Sequence, residues 1–387
     1  MAVQKILFGI DSFLNRSSFY QKSRIGFVTN DAALTNKGGL SRLALLKAGF
    51  NIVKLFSPEH GLNTKGADGT YQPHIIDPVT RLPVISLYGD KLSPAEDDLS
   101  DIDTIVFDIP DVGARFYTYL WSLTYIMEAC YAFAKSLIIL DRPNPISGDL
   151  SLAEGPMLDE KNCSSFIGRW NIPIKHSCTF GELVNYFSIL KNIDADIVII
   201  KTENWNRSKS ATDNWTFIPT SPAISDIETA LLYPGMGLLE GINVNEGRGT
   251  KTPFKIFGAP WINSKILLKE FLRLSLPGIK AEPIKYTPID SLYANERCNG
   301  LKLTVIDTNS FHPVLTGLQI IKLVSNFFPG NCEERLYKTV ANIAGKGHLD
   351  RLTGVLNSFE KIKAGELLTQ SYNIDNWKET INPFLIY

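Results

Sequence analysis

The chain has 387 residues, and its 39 basic and 40 acidic side chains give a formal net charge of −1. This length is sufficient for two domains, and 44% hydrophobic with 20% charged residues is ordinary for a globular protein. Because the charges balance, the chain has no global attraction to nucleic acid or to an anionic membrane, and we expect neither as a partner.

Targeting and cysteine signals are weak. No apolar run approaches the length of a membrane span, and a strand-like segment begins at Lys5. We therefore expect a cytoplasmic protein as the sequence is written, or a periplasmic or secreted one if a leader was removed. The five cysteines are odd in number and lack C-x-x-C spacing, which argues against a disulfide framework and against a zinc site.

The first half of the chain repeats a short Val/Ile/Leu-rich run, a polar loop and an amphipathic stretch. Runs that are apolar on both faces belong in a covered sheet, and intervening helices imply parallel strands. The predicted strands are 5–10, 24–30, 51–56, 83–89, 103–109, 136–141 and 196–201. The predicted helices are 40–47, 118–135 and 180–192, the last with Thr179 and Glu182 at capping-box spacing.

These elements predict an α/β fold, with a Rossmann-like, mostly parallel sheet in a catalytic domain at residues 1–235. Residues 205–261 lack periodicity and are rich in proline and glycine, so we predict an irregular wall of a binding site. A smaller α+β domain that lines the cleft is predicted at 236–387. Its predicted elements are helices at 263–274, 315–328, 333–344, 350–356 and 373–380 and strands at 280–286 and 301–306.

Acidic residues follow several of the predicted strands. FSPEHG places Glu59 and His60 after one strand, Asp108 and Asp111 follow a second, and Asp141 follows a third. The carboxyl ends of parallel strands meet at one edge of a sheet, where open α/β sheets gather catalytic groups. We therefore predict that these five residues are catalytic.

A second set of residues in these and later loops is predicted to bind the substrate. Arg248 stands between two glycines, which allows a guanidinium to approach a carboxylate closely. Arg115 and Arg142 follow aspartates, so Asp108 and Asp141 could instead form buried pairs with them. The predicted substrate-binding residues are Arg115, Tyr117, Arg142, Asn144, Glu154, His176, Glu240, Glu246 and Arg248.

Several familiar motifs are absent from the sequence. There is no G-x-x-x-x-G-K-[ST] phosphate loop, no G-x-G-x-x-G after the first predicted strand and no G-x-S-x-G elbow. We therefore predict no cofactor and no α/β-hydrolase triad. A metal site built from Asp108, Asp111, Asp141 and His60 is left open, although none is predicted, because carboxylates and imidazole from strand ends do bind divalent ions.

Ordered segments across nearly the whole chain resemble the NamZ-type exo-β-N-acetylmuramidase family, once known only as a domain of unknown function. They are GIDSF, RIGFVTN, FSPEHG, LPVISLYG, DTIVFDIPDVGARFYTY, LDRPNPISG, AEGPML, HSCTFGEL, YPGMGLLEG, NEGRGTKTPF and GAPW. The resemblance implies an enzyme that removes non-reducing-end N-acetylmuramic acid from peptidoglycan fragments, with Glu59 as the catalytic acid. The chain departs from the family pattern at LNTKG, where Lys65 stands near a usual arginine, and at Ser177 and Cys178.

The resulting hypothesis is a glycoside hydrolase in which neighbouring aspartates raise the pKa of Glu59. Asp108, Asp111, Asp141 or the substrate's own acetamido group could supply the second function, and retention, inversion and substrate assistance all stay open. Arg248 is predicted to bind the lactyl carboxylate that distinguishes N-acetylmuramic acid, with Arg142 as the second candidate and Arg115 and Lys65 as further ones. The alternatives are a non-catalytic protein that binds peptidoglycan-derived saccharides and a metal-dependent hydrolase.

Overall fold

The computed structural model describes residues 5–208, 215–370 and 374–387. The strands are β1 Ile25–Thr29, β2 Ile52–Ser57, β3 Ile75–Ile76, β4 Pro83–Ser86, β5 Thr104–Asp108, β6 Ser136–Leu140, β7 Glu154–Met157, β8 Pro173–Lys175, β9 Ile197–Ile200, β10 Ile256–Ala259, β11 Ile279–Tyr286 and β12 Cys298–Val305. The helices are α1 Gly9–Arg16, α2 Ser41–Lys47, α3 Glu96–Leu99, α4 Tyr119–Ala132, α5 Glu160–Cys163, α6 Phe180–Leu190, α7 Ile227–Met236, α8 Ser264–Arg273, α9 Pro313–Phe327, α10 His348–Thr353, α11 Ser358–Ala364, α12 Glu366–Gln370 and α13 Asp375–Ile381. Short 3₁₀ helices lie at Ser18–Lys22, Leu150–Leu152, Gly237–Gly241 and Asn382–Phe384.

The central sheet has seven strands in the order β3-β4-β2-β1-β5-β6-β9. Its neighbouring pairs are parallel except for β3 on β4, which is antiparallel. Strands β1 and β5 are buried at every position, as in a sheet covered on both faces. The chain passes from β1 to β2 on one side and returns to β5 on the other. Open α/β sheets bind ligands outside the carboxyl ends of strands at such a switch point.

The C-terminal part is built on a smaller antiparallel sheet in the order β10-β12-β11. Helix α8 packs on β11 and β12, and α9 packs on α7, α8 and α11. The fold class predicted from the sequence is confirmed, with a Rossmann-like α/β sheet followed by a smaller α+β unit. The boundary at residue 235 stays a prediction. Gly235 lies in α7, and a Cβ atom there would lie 1.9 Å from the Pro313 carbonyl oxygen of α9.

The predicted strand at 5–10 is wrong, because helix α1 begins at Gly9, inside it. The Asp11 carboxylate accepts the Phe8 backbone N–H at 2.9 Å and stabilises the first turn of the helix. Gly9 also packs directly on the backbone after β6, where a Cβ atom would lie 2.4 Å from the Asp141 nitrogen. The apolar run at 5–10 therefore does not form a strand. A helix begins within it, where Gly9 packs against the backbone that follows β6.

The predicted helix at 333–344 is also wrong. Its backbone donors bond to distant partners: the Val340 N–H donates to the Gly69 carbonyl at 2.9 Å, and the Arg335 N–H donates to Gly241 at 2.9 Å. These long-range hydrogen bonds take the place of the i to i−4 hydrogen bonds of a helix. They hold the segment against the loop that follows β2.

A further difference concerns regular structure that the sequence pattern did not show. The segment 205–261 contains α7 and β10, so it is not irregular throughout. The predicted helix at 373–380 corresponds to α13, and residue 373 lies outside the described residues.

All five cysteines are free and buried. Within the described ranges, no α-helix is both long enough and apolar enough to cross a bilayer.

Candidate active site

A cavity lies beside the loops that follow β2 and β5. Its lining combines residues from these loops with residues from the C-terminal part of the chain. Five of the residues predicted from the sequence line it: Glu59, His60, Tyr117, Glu240 and Arg248. Carboxyl, imidazole, hydroxyl and guanidinium groups therefore meet at one cavity.

Glu59 lies in a sharp turn directly after β2. Pro58 follows the strand, and His60 and Gly61 have positive φ angles of 67° and 70°, so the chain reverses there. The turn leaves Glu59 only 5% exposed while it lines the cavity. This arrangement holds a single carboxyl group at the cavity wall, largely out of contact with water.

Both carboxyl oxygens of Glu59 are hydrogen bonded. Oε1 accepts the Gly69 backbone N–H at 2.8 Å, and Oε2 accepts the Thr118 hydroxyl at 2.7 Å. Burial raises the pKa of Glu59, and the nearby Asp68 carboxylate raises it further, against the opposing effects of His60 and the two hydrogen bonds. The expected raised pKa thus has burial as its largest cause, and the aspartate involved is Asp68.

Asp68 is the functional candidate that sequence reasoning missed. It lies in the same loop as Glu59, accepts the Tyr337 hydroxyl at 2.5 Å and is 3.3 Å from Arg248 Nη2. Burial disfavours the ionised form of Asp68, but Arg248, His60 and the Tyr337 hydroxyl outweigh it and lower the pKa of Asp68 below its usual value. Its position in the GADG stretch shortly after FSPEHG was the available sequence signal.

Glu59, His60 and Asp68 place one ligand-type atom each within 4.8 Å of one another, a spacing that could accept a metal ion. The charges of the two carboxyl groups favour a different use. The His60 Nδ1–H donates to the Gly66 carbonyl at 2.8 Å, which orients the ring and is compatible with either use. Both carboxyl groups accept protein donors, and burial raises the pKa of Glu59, which favours its protonated form. Arg248 already supplies a positive charge beside Asp68. The cluster therefore fits an acid and an ionised carboxylate better than a metal centre.

Arg248 lines the cavity, but it is enclosed by acidic groups. Its guanidinium lies 2.7 Å from Glu240 and 3.3 Å from both Asp68 and Glu246. Burial opposes the charge, yet these carboxylates raise the pKa of Arg248 well above its usual value. Nε and Nη2 of Arg248 face these three carboxylates, so its positive charge is largely offset inside the protein; that Arg248 binds a substrate carboxylate stays a prediction. Glu246 does not line the cavity; burial, together with Glu240, raises its pKa to about 7.

Asp108 and Arg142 form a buried pair outside the cavity lining. Arg142 Nε lies 2.6 Å from Asp108 Oδ1, and its Nη2 lies 2.9 Å from Oδ2, so the pair is bidentate. The Asp108 side chain is 0% exposed. The prediction that Asp108 joins Glu59, and that Arg142 meets the substrate, is corrected: each group satisfies the other inside the protein.

Asp111 and Asp141 also lie outside the cavity lining. Asp111 faces the buried His176, with 3.4 Å between Oδ2 and Nε2. Asp141 accepts the Gly181 backbone N–H at 3.0 Å and the Tyr387 hydroxyl at 2.9 Å, and burial raises its pKa to about 6. These contacts link separate parts of the fold, so the sequence was wrong to bring Asp111, Asp141 and His176 to the site of Glu59.

The remaining predicted residues divide in the same way. Arg115 is buried and donates to three backbone carbonyls, those of Pro156, Ile172 and Leu352. Asn144 donates to the Cys178 carbonyl at 3.0 Å.

Glu154 is held at the start of α9. It accepts the Val314 and Leu315 backbone N–H groups at 3.0 and 3.2 Å, and burial raises its pKa to about 7. Like Arg115 and Asn144, it does not line the cavity. All three are corrected from substrate contacts to groups that hold loops and helices together.

The corrected role of Asp108 has a measurable consequence. We expect Asp108→Asn to lower the free energy of unfolding by roughly 3–5 kcal/mol, because Arg142 would be left buried without its counter-charge. Chemical denaturation measures the loss, and Asp101→Asn, at an exposed position, is the control. A variant of unchanged stability that has lost activity would return Asp108 to the catalytic set.

Comparisons with known proteins agree along the whole chain. The N-terminal model of the exo-β-N-acetylmuramidase NamZ family matches residues 25–228, and its C-terminal model matches residues 231–387. The peptidoglycan β-N-acetylmuramidase NamZ of Bacillus subtilis is 34% identical, over 99% of this chain and 92% of that protein.

Solved structures show the same fold. A DUF1343 family protein from Bacteroides fragilis superimposes with a TM-score of 0.87 at 26% identity, and a second from the same organism with 0.76 at 25%. Each comparison covers 99% of both chains. With two family models and a full-length relative in agreement, the chain belongs to the NamZ family of exo-β-N-acetylmuramidases.

Proposed function

We propose that this chain is a glycosidase that releases N-acetylmuramic acid from the non-reducing end of peptidoglycan fragments. The observation that carries the proposal is a pair of carboxyl groups, Glu59 and Asp68, at one cavity with pKa values displaced in opposite directions. Two such groups with separated pKa values are suited to act as acid and as ionised partner. The B. subtilis relative is a peptidoglycan β-N-acetylmuramidase.

Glu59 supplies the proton in this proposal. Cleavage of a glycosidic bond requires an acid that protonates the leaving oxygen as an oxocarbenium-like centre develops. A buried glutamate with a raised pKa keeps its proton at a pH where an ordinary glutamate has lost it. The hydroxyl of Thr118 and the N–H of Gly69 hold the carboxyl group in place.

Asp68 supplies the negative charge. Its lowered pKa keeps it ionised, so its negative charge stabilises the positive charge that forms at the anomeric carbon. The ligand-type oxygens of Glu59 and Asp68 lie within 4.8 Å of each other. Inverting enzymes need about 6.5–9.5 Å between carboxyl groups to admit a water molecule, whereas retaining enzymes need about 5–5.5 Å. Because the nearest oxygens of the two groups lie closer together than a water-admitting arrangement requires, we propose retention, with either Asp68 or the substrate's acetamido group at the anomeric carbon.

Incubation with para-nitrophenyl β-N-acetylmuramide, with and without EDTA, tests the proposal. We expect release of para-nitrophenol at the same rate in both samples. Saccharide binding without turnover would indicate a non-catalytic binding protein instead. Activity that disappears with EDTA and returns with added divalent metal would indicate a metal-dependent hydrolase that uses Glu59, His60 and Asp68 as ligands.

A further inference from the structure

N-Acetylmuramic acid carries a lactyl carboxylate that N-acetylglucosamine lacks, so a selective site needs a cation that is available to it. We propose that Arg351 binds this carboxylate and sets the preference for muramyl substrates. The inference rests on the proposed function and names the group that recognises its substrate. Arg351 was not among the residues selected from the sequence.

Among the residues that the structure describes, the lysine or arginine residues that line the cavity are Arg248 and Arg351. Arg248 is enclosed by Asp68, Glu240 and Glu246. Arg351, in contrast, has no carboxylate within 4.0 Å among the residues that the structure describes, and it is only partly buried. Its guanidinium is therefore the cation at this cavity whose positive charge no described carboxylate offsets.

The other arginines considered for this role are committed elsewhere. Arg142 is paired with Asp108, and the Arg115 guanidinium donates to backbone carbonyls, both outside the cavity lining. Lys65 is exposed and does not line the cavity. A charged ligand that enters the cavity thus meets Arg351 as its unpaired positive partner.

Helix α10 holds Arg351 in a defined place. Arg115 Nη2 donates to the carbonyl of Leu352, the next residue, at 2.9 Å. Asp350, on the other side, accepts the Ser358 backbone N–H at 2.8 Å and so ties α10 to the start of α11. His348, one turn earlier in α10, lines the same cavity. Because the residues on both sides of Arg351 are held by these hydrogen bonds, its side chain starts from a fixed position and is preorganised for a ligand.

The chemistry of the group matches the proposed ligand. A guanidinium presents two parallel N–H donors to a carboxylate, a geometry that a lysine ammonium does not provide. Asn342 lines the cavity as well, and its side-chain Nδ2 is buried without a hydrogen-bond partner among the described residues. Arg351 supplies the charge for the carboxylate, and Asn342 offers a further donor to oxygen atoms of the same ligand.

Arg351→Ala tests the proposal through substrate preference. We expect kcat/KM for para-nitrophenyl β-N-acetylmuramide to fall about 10- to 100-fold, the effect of losing a charge-assisted hydrogen bond. The corresponding β-N-acetylglucosaminide, which lacks the carboxylate, should be unaffected. Arg351→Lys should give an intermediate loss. Lys346→Ala, at an exposed position outside the cavity lining, removes one charge from the same region and should change neither rate.

Binding separates failure of this inference from failure of the proposed function. Calorimetry with N-acetylmuramic acid and N-acetylglucosamine, on the wild type and on Arg351→Ala, needs no turnover. A preference for N-acetylmuramic acid that disappears in Arg351→Ala supports the inference even if the wild type hydrolyses nothing. A preference that persists in the variant overturns it even if the wild type is an active hydrolase. Arg351→Gln repeats both measurements if the alanine variant does not fold.

Discussion

Glu59→Gln is expected to lower kcat by roughly 10²- to 10⁴-fold while binding of N-acetylmuramic acid is retained. The amide keeps the shape of the carboxyl group but has no transferable proton for the leaving oxygen. Its oxygen can still accept the Gly69 N–H or the Thr118 hydroxyl, so the turn after β2 should persist. The measurement is kcat with para-nitrophenyl β-N-acetylmuramide, together with calorimetric binding of the free sugar.

The pH profile is the second readout for this variant. Wild-type kcat/KM should fall as the pH rises through the raised pKa of Glu59, because the acid then loses its proton. That alkaline limb should be absent from the residual activity of Glu59→Gln. Glu96→Gln, at an exposed position, is the matched control and should behave as wild type. Retention of most of the wild-type rate by Glu59→Gln would make Glu59 a structural loop residue.

Asp68→Asn is expected to lower kcat by about 10²- to 10³-fold, the range for loss of one preorganised charged or polar group that stabilises the transition state. The neutral amide cannot stabilise the positive charge that forms at the anomeric carbon. Wild-type kcat/KM should fall at acidic pH only below the usual aspartate range, because the pKa of Asp68 is lowered. This acidic limb should disappear in the variant.

The control for Asp68→Asn is structural, because Asp68 also contacts Arg248 and the Tyr337 hydroxyl. Thermal unfolding and binding of N-acetylmuramic acid should stay close to wild type if the lost function is charge. NMR of the product with the wild type should show retained β configuration at the anomeric carbon. An inverted product would contradict the assignment drawn from the spacing of Glu59 and Asp68.

Local pattern was sufficient for much of the fold and for the position of the acid. The parallel strands β1, β2, β5, β6 and β9 were predicted because runs apolar on both faces have few alternatives to a covered parallel sheet. Thr179 and Glu182 marked the start of α6, where both capping hydrogen bonds form. FSPEHG ends β2, so Glu59 had to leave the sheet at its carboxyl edge.

The partners of the charged side chains were decided only by the tertiary structure. Arg142 follows its own aspartate in sequence yet pairs with Asp108, on the neighbouring strand. Arg248 looked unpaired in its glycine-flanked loop, but the fold surrounds it with carboxylates, of which Asp68 comes from the far N-terminal half. Periodicity in a sequence reports which face of an element is buried. It does not report which distant charge will lie opposite.

The same limit explains the segment at 333–344, where the sequence alone favoured a helix. The Val340 N–H donates to the Gly69 carbonyl and the Tyr337 hydroxyl donates to Asp68. These contacts hold the segment against the loop that carries Glu59, in place of a helix. The sequence by itself determined the sheet, the family resemblance and the candidate acid, because these depend on short stretches of chain. Asp68 and Arg351 emerged only from the fold, because a site is a set of charges brought together across long separations, and their burial and neighbours are set by packing.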